Sequence, residues 1–163
     1  MFNQIIVSVL AFLLGIFPSW GGLNYQYQSL TFNRNVIRSN IQTAIETRDI
    51  EALETMMCEN IKQKVPNRSD EIGRLIDAID GEISKFVWRG TSDYSKSSNG
   101  KRISQEGWAA TITTSTGTYD LSVIWEIAND FAPKEVGIRN IGLTDLQSMV
   151  LLVGIAAPDG IRH

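Results

Sequence analysis

The spacing of apolar residues changes once along this chain, at Gly81, and that switch limits the fold more than any other feature. Before it, apolar side chains recur every three or four residues; after it, they alternate. Val36, Ile37, Ile41, Ala44 and Ile45 mark a first helix over about Asn33 to Thr47. Asp49 is placed as the N-cap of a second helix, with Glu51 in its first turn. Ile50, Leu53, Met57 and Ile61 form its stripe, and Pro66 stops it. A third opens at Ser69, buries Ile72, Leu75, Ile76 and Ile79, and ends at Gly81.

Beyond Glu82 the pattern is that of strands. Ile83, Phe86, Val87 and Trp88 make the first, and the Ser/Gly/Asn-rich stretch Gly90 to Lys101 reads as a mobile loop. Trp108, Ala110, Ile112 and Thr114 alternate along a second strand, closed by a Thr116-Gly117 hairpin whose glycine is expected at positive φ. Leu121, Val123, Trp125 and Ile127 face one side of a third, opposite Asp120, Ser122 and Glu126. In the fourth, Val136, Ile138, Ile141 and Leu143, the spacing jumps from two to three at Arg139-Asn140, which predicts a bulge. Helices first and hairpin-linked strands after imply an α+β fold, N-terminal helices packed on an antiparallel sheet of about four strands. Met149 to Ala157 reads as a further strand or a packed helix.

The first 33 residues carry no Asp, Glu, Lys or Arg, and the first charge is Arg34. The apolar run Ile5 to Phe17 has the length of a signal-peptide core, too short for a helix that crosses a bilayer. Ser19 and Gly21 stand at the two small positions a signal peptidase needs, so cleavage is expected after Gly21. The expected organisation is a signal peptide or anchor at 1–21, a tether at 22–33, the folded domain at 34–145 and a C-terminal tail at 146–163. It places the protein outside the cytoplasm, touching membrane only through its N-terminal segment.

The inventory excludes several chemistries. Lys+Arg 15 against Asp+Glu 18, a net charge of −3 without a basic block, argues against nucleic acid as a partner. Cys58 is the one cysteine and His163, the last residue, the one histidine, which argues against a metal site and a histidine-based triad. No glycine-rich phosphate loop follows a strand, and no cofactor is expected.

The segments AIETRDIEALETMMCENIK, AIDGEI, TTSTGTYDL and KEVGIRNIGL, in this order, resemble an uncharacterised family of exported domains of unknown function from Gram-positive bacteria. The resemblance runs from Arg34 to Leu143 and implies a cystatin-like fold of the nuclear-transport-factor kind, a curved antiparallel sheet around helices. Many members of that family are lipoproteins anchored through a cysteine directly after the apolar run. This chain has no cysteine there. The resemblance brings no catalytic residues.

Three sets of residues are candidates for function. Asp120 and Glu126, with Tyr119 as hydrogen-bond donor, would suit acid–base chemistry if a carboxylate were desolvated in a pocket. The strand alternation instead turns both acids away from the apolar face, toward solvent or the opposite side. Tyr94, Lys101 and Arg102 on the polar loop, and Trp108 and Trp125 together with Trp88 along the sheet, are the candidates for ligand binding. The expected function is a non-enzymatic binding or protein-interaction module of the cell envelope, its partner a small ligand or an envelope protein. The alternatives are a small-molecule cavity enzyme using carboxylate and tyrosine, and a structural module that forms a homodimer.

Overall fold

A computed structural model describes residues 33–157. The expected signal or anchor segment, the tether up to residue 32 and the last six residues lie outside the described residues. Four helices come first: α1 (Arg34–Glu46), α2 (Ile50–Thr55), α3 (Glu59–Lys64) and α4 (Arg68–Asp77). Five strands follow: β1 (Ile83–Ser98), β2 (Lys101–Thr114), β3 (Thr118–Asn129), β4 (Gly137–Asp145) and β5 (Val150–Ala156). They form one antiparallel sheet in chain order, β1-β2-β3-β4-β5, so every connection is a hairpin or short loop. The α+β class is as the periodicity predicts, with one strand more than the four it marks most clearly.

Asn33 caps α1 by accepting from the backbone N–H of Asn35 and Val36, and Asp49 caps α2 by accepting from Ala52. Ile41 and Ile45 of α1, Leu53 of α2, Ile61 of α3 and Ile72 and Leu75 of α4 share one core with Ala110, Ile112, Leu121, Val123 and Ile141 of the sheet. Each of the isoleucines, leucines and valines removed from water contributes roughly 1.5–3 kcal/mol. Ile127 is only partly buried, because Gln105 pairs with Glu126 and Ser104 with Ala128, leaving Ile127 as an extra residue. The bulge expected near Arg139 is present: Ile124 pairs with Asn140 and Trp125 with Ile138, and Arg139 is the unpaired residue.

Three expectations are corrected. The second helix is two, α2 and α3, broken at Met56 to Cys58 where the chain pairs with β4. There the Ile138 N–H donates to the Met56 carbonyl at 2.9 Å, and the Cys58 N–H donates to the Ile138 carbonyl at 3.0 Å. Gly90 to Lys101 is no loop but the outer half of the β1–β2 hairpin, paired from Thr91 with Trp108 to Ser98 with Lys101. Its turn is Asn99-Gly100, both at positive φ (52° and 73°), the backbone a two-residue hairpin requires. Gly117 does not have positive φ. The Thr114 hydroxyl organises that turn, accepting from the N–H groups of Thr116 and Gly117.

Candidate functional site

Every second residue of a strand faces the same side, so Glu106, Trp108, Ala110 and Ile112 of β2 all point toward the helices. Glu106 pairs with Trp125 of β3, and Ala110 with Trp88 of β1. Trp108 thus has a tryptophan diagonally on each side. Its ring stacks on that of Trp125, with centroids 6.0 Å apart and planes at 17°, and meets Trp88 edge-on at 6.3 Å. Trp108 and Trp125 are buried, 2% and 9% exposed, and Trp88 is half-buried.

Two arginines one helical turn apart on α1 descend onto this row. Arg34 donates through Nε (2.6 Å) and Nη2 (2.5 Å) to the two oxygens of Glu106, a bidentate pair. The Trp108 indole N–H donates to the same carboxylate at 2.8 Å. Burial would push the Glu106 carboxyl up. The hydrogen bonds from Arg34 and Trp108, with the charges of Arg34 and Arg38, outweigh it and hold the carboxyl below the ordinary glutamate value.

Arg38 has no such partner. Its guanidinium lies 5.1 Å from the ring centroid of Trp108 and 5.5 Å from that of Trp88, in cation–π range of both. Its Nε and Nη2 are buried and donate to no acceptor among the described residues, and the same holds for the indole nitrogens of Trp88 and Trp125. Burial, then the neighbouring charge of Arg34, lowers the Arg38 pKa from its ordinary value. Among the described residues the cluster therefore combines packed aromatic rings with buried N–H donors that lack acceptors, while its one carboxylate is fully engaged.

The residues considered for acid–base chemistry do not converge. Tyr119 is buried, its hydroxyl accepting from the Asp80 N–H at 3.2 Å, while Asp120 on the other face of β3 is ion-paired with Arg89. Glu126 lies seven residues beyond Tyr119, about 23 Å along an extended strand. It is fully buried rather than solvated. Its oxygens accept from Gln105 Nε2 (3.0 Å), Arg139 Nη1 (2.8 Å) and Asn129 Nδ2, and the bulge is what sets Arg139 beside it. Glu126 is therefore the ion-pair partner of Arg139.

The binding candidates divide as well. Tyr94 is exposed on the hairpin arm, and the Lys101 ammonium sits 5.2 Å from the Phe131 ring. The Arg102 backbone N–H donates to Asp130 at 2.7 Å. Trp108 and Trp125 do meet, and Trp88 joins them. Sequence reasoning missed Arg34, Arg38 and Glu106. The signal was present: Arg34 and Arg38 are four apart on one helix face, and Glu106 is in phase with Trp108.

Cys58 is buried ahead of α3, and burial pushes its thiol pKa up. Among the described residues no group of three or more His, Cys, Asp or Glu side chains could hold a metal ion. Nor is any described helix long and apolar enough to cross a membrane.

The family described as a domain of unknown function, DUF5104, matches residues 40–146, about two thirds of the chain. The chain belongs to the DUF5104 family. The match takes in Trp88, Glu106, Trp108 and Trp125, and begins just after Arg34 and Arg38. No curated protein matches the chain.

Proposed function

We propose that this DUF5104 protein is an exported, cystatin-like module of the cell envelope that binds a small ligand at the Arg38–tryptophan cluster and performs no chemistry on it. The observation behind this reading is the set of buried donors without acceptors at Arg38, Trp88 and Trp125. Burying such groups unpaired costs about 1–3 kcal/mol each, a cost a chain has reason to keep where a ligand supplies the acceptors. The uncharged leader supports export. Against the enzyme alternative stands the engagement of every buried carboxylate near the sheet's tryptophans and bulge: Glu106 by Arg34 and Trp108, Glu126 by Arg139.

A structural dimer is the second reading, favoured by one observation. Met149, Val150 and Leu151 are exposed on and beside β5, an edge strand of the sheet.

Mass spectrometry of protein recovered from the culture medium of a Gram-positive host tests these readings together. Under denaturing conditions the mass should correspond to a chain beginning at Gly22. Under native conditions the wild type should carry a small-molecule adduct that Trp108→Ala lacks. Full-length protein retained in the cytosol would contradict export. A bare dimer from the medium would favour the structural module.

A further inference from the structure

We infer that the ligand of this cluster is a small organic anion, a carboxylate on a flat apolar body, bound with its charge against Arg38; the inference rests on the binding reading above. Every group the cluster leaves without a partner is a donor. Arg38 Nε and Nη2 and the indole nitrogens of Trp88 and Trp125 can give hydrogen bonds and accept none. Among the described residues the carboxylate beside them is Glu106, and it is taken by two bonds from Arg34 and one from Trp108. Asp93 acts on Arg34. Arg38 is thus a guanidinium with no hydrogen-bonded counter-ion among the described residues, partly withdrawn from water.

The chemistry of the rings decides between ligand charges. Cages of tryptophan often take cations, but here Arg38 already lies over Trp88 and Trp108. A second cation would meet its charge at close range. A neutral ligand would leave that charge unpaired. A carboxylate matches the guanidinium fork in shape and sign, and a flat apolar body behind it would lie against Trp88, the half-buried member of the row.

Benzoate, benzamide and benzamidine share one shape and carry charges of opposite sign or none, so they separate these cases. The full chain, labelled with nitrogen-15, has four indole N–H groups, which replacement by phenylalanine one at a time assigns. Benzoate should shift the Trp88 or Trp125 indole resonance in a saturable way. Arg38→Met should weaken that binding roughly tenfold or more, the loss expected for a hydrogen bond to a charged group. Arg38→Lys, which keeps the charge, should retain part of it. Benzamide or benzamidine shifting the indoles as strongly as benzoate would overturn the anionic assignment and leave the binding site standing. Benzoate binding that Arg38→Met leaves unchanged would overturn the role of Arg38. If none of the three probes moves an indole resonance of the folded wild type, the inference fails for these probes. An adduct lost in Trp108→Ala would then still support binding, and its absence would end both readings.

Discussion

Glu106 and Glu126 are both buried glutamates of the sheet, and their partners assign them different work. Glu126 closes a polar corner with Gln105, Asn129 and Arg139. Glu106 holds Arg34 and Trp108 in place beside Arg38, so it positions the site. Because Arg34 and Trp108 keep the folded-state pKa of Glu106 below the ordinary 4.5, its ionised form stabilises the fold. That contribution is complete above the unfolded-state value and is lost as pH falls through the lower folded-state value. Glu106→Gln should therefore lower Tm at pH 7, and the gap between variant and wild type should close in acid. Parallel melting curves from pH 7 to pH 3 check this; a gap that widens in acid would contradict it. This role was half legible in the sequence, since a carboxylate two residues from Trp108 had to share its face. Its partner was not, because Arg34 is 72 residues away and only the packed helix brings it close.

At the scale of elements, what could be read depended on how local the cause was. The Asp49 cap, the alternation along β2 and the bulge at Arg139 follow from neighbours in sequence, and each stands in the structure. The hairpin arm was missed although Asn99-Gly100 marked its turn, because its exposed, serine-rich strand carries no apolar alternation. The break between α2 and α3 was not, because its cause is Ile138, some 80 residues downstream, pairing with Met56 and Cys58. Gly137 permits that contact. It has φ 135°, and a Cβ there would lie 2.8 Å from the Met56 carbonyl oxygen and 3.0 Å from the Cys58 nitrogen. Gly137→Ala should destabilise the domain by roughly 2 kcal/mol or more, through a strained backbone and a separated helix break. Denaturant unfolding measures it, and a loss under about 0.5 kcal/mol, the ordinary surface effect, would mean that the contact is incidental.

Across the whole molecule, the four described helices and the sheet close a single apolar core, and one end of it contains an arrangement that the core does not need. A row of three tryptophans with a leucine or methionine over it would be conventional packing. This chain instead places a guanidinium there, with two of its nitrogens buried and unpaired. If Arg38 is held for a ligand, the free protein is less stable for having it. Methionine would keep the long stem on the rings while removing the charge and the unpaired donors. The direct measurement is the Tm of Arg38→Met in the absence of any ligand, against wild type. A binding residue predicts a rise, by roughly 1 kcal/mol or about 4 °C after allowance for the lost cation–π contact. A fall of that size would mean that Arg38 holds the fold together, and would contradict the assignment of the cluster as a binding site.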